Sequence, residues 1–248
     1  MIENFKINDV FCRVYKPDDE NIDQILVTVH GFSGDKDSSV ICALGEMLTK
    51  RGVLVISFDL PCHGEDSCLK PLSLERCQYA LEMVINYAKS KHSNDKISIF
   101  ATSFGAFLTL NYLSKHKEKF KNVILRAPAI NMPEILHGWI FEQRGLSDKE
   151  LQEGVNFGFE KPLVINDVFY NELKNVKLIE NFHDELNNFH VLQGLKDDIV
   201  DANVVFKFCE NNLKNRCSIY KFENADHRFK KEAELERILE ITKNILFC

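Results

Sequence analysis

Ser103 stands in the run Ala101-Thr102-Ser103-Phe104-Gly105, between an apolar stretch of strand type and a helical one. A serine on so sharp a turn projects its hydroxyl away from the backbone, toward the carboxyl edge of a sheet. Small neighbours let strand and helix approach closely. The pattern is that of a nucleophile elbow, G-x-S-x-G, with Ala101 in the place of the first glycine. The plainer alternative is a serine that caps the helix. A serine hydroxyl is a weak nucleophile near neutral pH; it needs a base, and the base needs an orienting carboxylate. Two later segments offer them. Gly194-Leu195-Lys196-Asp197-Asp198-Ile199-Val200 follows the candidate strand 189–194, and Asn224-Ala225-Asp226-His227-Arg228-Phe229 follows the candidate strand 218–222. The chain order is then Ser103, Asp197, His227, with each just past a strand's carboxyl end, where sites in open α/β sheets form.

The spacing Gly-x-x-Asp-x-x-Val favours Asp197 as the carboxylate, while Asp198 could instead cap the following helix and Asp201 is close. Of the eight histidines, only His227 has the right place in the chain order. His30 and His63 precede glycines in turn motifs and read as structural, and His190 lies inside a strand. Acyl chemistry also needs donors for the oxyanion that develops in the transition state. One would be the N–H of Phe104, directly after the nucleophile. The other would be the N–H of Phe32 in Val29-His30-Gly31-Phe32-Ser33-Gly34, where Gly31 permits an unusual backbone turn. A plain glycine turn is the alternative there.

The elements that must position these groups alternate. After a possible hairpin over 3–15, strands are predicted at 24–30, 52–58, 96–101, 122–127, 189–194 and 218–222. Helices are predicted at 38–50, 74–90, 104–116, 202–213 and 231–246. Ser73 is a plausible cap for the second helix. Alternation of this kind implies an α/β fold, a mostly parallel sheet with helices on both faces.

Residues 130–186 break the pattern. They carry eleven acidic and five basic residues, a net of −6, which equals the formal charge of the whole chain. They also hold Trp139, the only tryptophan, with Leu136, Ile140, Phe141, Phe157 and Phe159. An acidic yet aromatic insertion reads as a cap (lid) subdomain over a core made of 1–129 and 187–248, with Trp139 lining the entrance. The blander reading is a pair of extra helices with a solvated acidic face. Within the insertion, a small hairpin around Lys161-Pro162 and a helix near 168–175 are predicted.

The chain has 248 residues, 45% of them apolar and 27% charged. At that size roughly 70–75% of the unfolded surface can be buried. No basic stripe stands out against a pI of about 5.8, which disfavours nucleic acid. No apolar run approaches the length of a membrane span. The first residues lack the marks of a signal peptide. With eight cysteines and no C-x-x-C pair, free thiols in a reducing cytoplasmic setting are expected, and a metal site is not. Cys62 and Cys68 read as buried small apolar residues, with redox sensitivity near the site as the alternative.

The motifs His30-Gly31-Phe32, Asp59-Leu60-Pro61-Cys62-His63-Gly64, Ala101-Thr102-Ser103-Phe104-Gly105, Gly194-Leu195-Lys196-Asp197 and Asp226-His227 together resemble those of the α/β-hydrolase superfamily, over about 24–230. The chain looks most like the small esterases with an insert after the sixth strand, a group that includes cinnamoyl and feruloyl esterase-like and serine-aminopeptidase-like enzymes. The resemblance implies an eight-stranded sheet whose second strand is antiparallel, and ester hydrolysis on a small-molecule substrate without a cofactor. Two departures bear on specificity rather than on the triad: Cys62 replaces the glycine of D-x-x-G-H-G, and the serine that commonly follows is displaced to Ser67.

The leading expectation is a serine carboxylesterase. The same triad could serve a thioester, an amide or another acyl acceptor; an amidase would need a group for the substrate's amino terminus, such as Glu134, Glu142 or Glu153. A binding protein without activity is disfavoured because all three triad members are present in order. A carboxylate-nucleophile hydrolase and a thiol hydrolase are disfavoured because the elbow residue is serine. A homodimer is compatible with the sequence, which selects no oligomeric state.

Overall fold

The computed structural model describes residues 1–18, 22–158 and 160–247; Phe159, named above, and Cys248, one of the eight cysteines, lie outside them. Strands β3 (Gln24–Val29), β4 (Val53–Phe58) and β5 (Ile97–Thr102) are buried at every position. Near-continuous apolar runs of this kind belong to parallel strands covered on both faces. With β6 (Val123–Arg126), β9 (Phe189–Gly194) and β10 (Cys217–Phe222) they form the parallel part of an eight-stranded sheet of order β1-β2-β4-β3-β5-β6-β9-β10. β1 (Ile2–Ile7) and β2 (Val10–Tyr15) are an antiparallel hairpin, and β2 also pairs antiparallel with β4. β2 is therefore the one strand running against the others in this sheet, as the resemblance implies.

Alternate strand residues feed two cores. On one face Ile25, Val27, Ile97 and Ile99 meet Leu81 and Val84 of α2 (Leu74–Lys91) and Phe107 and Leu110 of α3 (Phe104–Lys115). On the other face Leu26, Val55 and Phe100 meet Ile41 and Leu44 of α1 (Ser39–Thr49), with Ile238 and Leu246 of α9 (Glu232–Phe247). Ser73 caps α2 by accepting from Arg76 N–H at 3.3 Å. α8 (Ala202–Phe208) continues as a wide turn over Cys209–Leu213 and starts from Asp201, whose side chain accepts from Asn203 N–H. The capping carboxylate is therefore Asp201, not Asp198.

The insertion follows β6, the sixth strand. It holds α4 (Met132–His137), a wide turn (Gly138–Gln143), α5 (Asp148–Glu153), the two-residue strands β7 (Val155–Asn156) and β8 (Val164–Ile165), α6 (Asp167–Lys174) and α7 (Leu178–Asn181). β7 and β8 pair antiparallel around Lys161-Pro162. Its apolar side chains, among them Leu136, Ile140, Ile165, Phe169 and Leu173, merge with the core on the α2–α3 face. No helix among the described residues is long and apolar enough to cross a membrane.

Candidate active site

Ser103 joins β5 to α3 with φ +51° and ψ −115°. That backbone is sparsely populated for any residue with a Cβ, costs of the order of 1–3 kcal/mol, and persists only where its surroundings over-determine it. They do so here. Ser103 N–H donates to Arg126 O at 2.9 Å, while Ser103 O accepts from Ala106 N–H at 3.0 Å and Phe107 N–H at 3.1 Å. Gly105 lets the first turn of α3 lie against β3: a Cβ there would sit 2.6 Å from Val29 O and closer still to His30 O. The elbow's second glycine is thus a requirement of backbone approach.

The loops after β9 and β10 are stitched together. Leu195 N–H donates to Phe222 O at 2.9 Å and Lys196 N–H to Ala225 O at 3.1 Å. A Cβ at Gly194 would collide with Ala225 O. This brings Asp197 under His227. The carboxylate is fully buried. Its Oδ1 accepts from Ile199 N–H at 3.0 Å and Val200 N–H at 2.8 Å, and its Oδ2 from Gln193 Nε2 at 3.1 Å. His227 Nδ1 lies 2.9 Å from Oδ2, and His227 Nε2 lies 3.0 Å from Ser103 Oγ. Burial alone would raise the Asp197 pKa; the bonds from His227, Val200 and Ile199 outweigh it and hold the group below its ordinary value. An anionic acceptor at Nδ1 fixes that nitrogen as the protonated one, leaving Nε2 with a lone pair toward the hydroxyl. Ser103, Asp197 and His227 are therefore brought into one hydrogen-bonded line, and Asp198 is exposed.

The loop after β3 reaches the same point. A Cβ at Gly31 would lie 3.2 Å from Ser103 Cβ, so Gly31 permits the approach. The ring of Phe32 packs edge-on to that of Phe104, centroids 5.9 Å apart. Among the described residues, neither the Phe32 N–H nor the Phe104 N–H has a hydrogen-bond acceptor within the chain.

A sequence description of the α/β hydrolase fold matches residues 24–164. The chain belongs to the α/β hydrolase family. No curated protein matches its sequence. Among solved structures it is similar to Est1E from Butyrivibrio proteoclasticus with ferulic acid bound (TM-score 0.81, 17% identity, covering 99% of this chain and 98% of that one). It is likewise similar to a putative hydrolase from Agrobacterium vitis S4 (TM-score 0.80, 16% identity, 99% of both chains). Mouse alpha/beta hydrolase domain-containing protein 10 is a third (TM-score 0.74, 15% identity, 99% and 98%).

In this hydrolase Trp139, on the wide turn of the insertion, packs against Phe32 at 5.7 Å between ring centroids. The insertion thereby touches the elbow's neighbourhood. Ser103 is only 8% exposed. Glu134, Glu142 and Glu153 are exposed. Ser67, at the displaced serine position, donates to Pro162 O at 3.3 Å and so ties the loop after β4 to the insertion. Cys62 is buried with its Sγ 3.3 Å from Cys68 Sγ; burial pushes the Cys62 thiol up to about 12. The other histidines do other work. His30 Nε2 accepts from Leu60 N–H at 3.0 Å, His63 Nδ1 lies 2.9 Å from Pro61 O, and His137 Nδ1 lies 2.7 Å from Tyr170 Oη. A groove of about 570 Å³ runs between the far end of α3 (Asn111, Lys115) and Glu172, Val176 and Leu178 of the insertion; none of its lining residues belongs to the triad.

Two features were missed in the sequence. Gln193, which holds Asp197 from within β9, carries the signal of a buried amide beside the apolar run Val191-Leu192. Lys36, buried beside the carboxylates of Asp59 and Glu65, carries none, because a lysine in a polar loop reads as solvated.

Proposed function

We propose that this hydrolase is a serine carboxylesterase acting on small-molecule esters through an acyl-enzyme. The observation that carries the reading is the line Ser103 Oγ–His227 Nε2 at 3.0 Å and His227 Nδ1–Asp197 Oδ2 at 2.9 Å, ending at an elbow serine. Ser103 Oγ attacks the ester carbonyl carbon and its proton passes to His227 Nε2. Asp197 stabilises the imidazolium and keeps its orientation. The N–H groups of Phe32 and Phe104, otherwise without acceptors, take the oxyanion; each such donor is worth about 3–4 kcal/mol in the transition state. The tetrahedral intermediate collapses, His227 returns its proton to the leaving alkoxide, and the alcohol departs. Water then gives a proton to His227 and its oxygen to the acyl carbon. Collapse releases the acid and returns the proton to Ser103.

Residues 130–186 act as a cap, with Trp139 and Phe32 bounding the acyl side. An aromatic acyl group is the substrate class these rings favour, and Est1E, of like fold, is described with ferulic acid bound. The seven described cysteines are all unpaired, which supports a cytoplasmic setting. The test is hydrolysis of p-nitrophenyl esters from acetate to octanoate, and of an aromatic acyl ester, beside Ser103→Ala. Turnover that the substitution abolishes is the expected result. Turnover at the parental rate in Ser103→Ala would refute the reading.

A further inference from the structure

The turn that carries Phe32 is built against its own backbone preference. Gly34 N–H donates to Gly31 O at 3.0 Å, so Phe32 and Ser33 form the centre of a tight turn. Ser33 stands at φ +58°, where such turns ordinarily place glycine or asparagine. A strained turn keeps its shape only when both ends are held. His30 holds the first end, accepting from Leu60 N–H and bonding Gly31 O through Nδ1 at 2.8 Å.

Lys36 holds the second. Its side chain is only 2% exposed, and its ammonium meets Asp59 Oδ2 at 3.3 Å, Asp37 Oδ2 at 3.2 Å and Glu65 Oε1 at 2.6 Å. Its own N–H donates to Asp59 Oδ1 at 2.8 Å, and Asp59 Oδ2 accepts from Glu65 N–H at 2.9 Å. Asp59 is fully buried at its side chain, in room left by Gly64, where any Cβ would strike the carboxylate. Arg13 of β2 completes the set by pairing with Asp37. The loop after β4 is itself fastened to the insertion, since Lys161 Nζ donates to Gly64 O at 3.0 Å.

We infer that Lys36 is a positioning residue for the oxyanion site: its buried ammonium, held by Asp59 and Glu65, fixes the far end of the 31–34 turn and thereby the Phe32 N–H beside Ser103. The inference rests on the proposed role of Phe32. Little slack separates the turn from the nucleophile, since even a Cβ added at Gly31 would lie 3.2 Å from Ser103 Cβ. A shift of the turn therefore moves the donor relative to the reacting carbonyl, and a misplacement of about 1 Å can cost about 100-fold in rate. Substrate binding changes less, because, of the rings that bound the acyl side, only Phe32 moves with the turn, while Trp139 belongs to the insertion.

The test compares full-length Lys36→Met and the milder Glu65→Gln with the parent, in ester kinetics and in hydrogen–deuterium exchange of the peptide 30–36. Lys36→Met should lower kcat by about 30-fold or more with a clearly smaller change in KM, about fivefold at most, and Glu65→Gln should lower kcat by about threefold. Exchange in 30–36 should accelerate in both, while peptides around Ser103 and His227 stay unchanged. A folded Lys36→Met with parental kcat, or with parental exchange in 30–36, overturns the inference, and so does a proportionate change in KM. If Lys36→Met does not fold, Glu65→Gln decides by the same criteria. If the parent turns over no ester, the esterase reading fails, and the exchange arm still decides whether Lys36 holds the turn.

Discussion

The edge of the sheet that carries Ser103 and the insertion after β6 are held in place by different means. At the edge, backbones touch: Gly105 and Gly194 leave no room for a side chain and Gly31 leaves little, and three loops meet at Ser103, Asp197 and His227. The insertion is fastened by an apolar seam and by scattered polar ties, including Leu72 N–H to Val164 O at 2.8 Å, Leu74 N–H to Glu172 Oε2 at 2.6 Å, and Lys161 to Gly64. Steric exclusion fixes positions to tenths of an ångström, whereas an apolar seam tolerates repacking. On the proposed reading, reaction chemistry belongs to the edge and substrate choice to the insertion.

Substitutions and pH can break or sharpen that contrast. The largest expected effect is at the edge: Asp197→Asn should lower kcat about 10⁴-fold, because the amide favours the wrong imidazole tautomer. A loss below tenfold in steady-state ester kinetics would detach Asp197 from the chemistry.

Acid should weaken the edge next. Burial lowers His30 to about 4 and His63 to about 3, both neutral in the fold, against an ordinary value near 6.5. The unfolded chain therefore binds more protons between those limits. Their stabilising contribution is complete above pH 6.5 and falls as the pH drops, by about 1.4 kcal/mol per pH unit for each histidine. Denaturant midpoints between pH 7 and 4.5 measure the slope, and His63→Gln should reduce it. An unchanged slope in that variant would place the acid sensitivity elsewhere.

Glycines offer a third comparison. Gly105→Ala forces a Cβ onto His30 O and Val29 O, and should cost about 2 kcal/mol and about 4–8 °C in Tm. Gly138→Ala, in the insertion, meets only Glu142 Oε2 at 3.6 Å, in helical backbone. It should be neutral or stabilise by up to about 1 kcal/mol. Equal Tm losses would erase the contrast. The smallest effect is at Trp139: Trp139→Ala should lower kcat/KM for an aromatic acyl ester about tenfold relative to the acetyl ester, with acetyl kcat retained. An equal loss on both esters would move Trp139 from selectivity to fold.

Legibility in the sequence follows the same divide. Strands such as Val53–Phe58 are apolar at every position but Ser57 because both faces are covered, and that pattern is visible in one chain. The elbow is visible because a strand, a serine and a glycine fall in fixed order. The choice among Asp197, Asp198 and Asp201 rested on spacing alone; the fold separates them by giving Asp197 to His227 and Asp201 to the start of α8. The insertion was harder, since two-residue strands and helices of four to eight residues are too short to show a period. Phe169 and Leu173 are buried by surfaces far away in the chain. Lys36 was illegible because its burial depends on carboxylates twenty and more residues away.

The central claim is that Ser103 is an activated nucleophile. The most direct measurement is intact-protein and peptide mass spectrometry after a fluorophosphonate, on the parent, Ser103→Ala and His227→Ala. One adduct per chain located on Ser103, absent in Ser103→Ala and formed far more slowly in His227→Ala, is the predicted result. No adduct on the folded parent, or one that persists in Ser103→Ala, would contradict it.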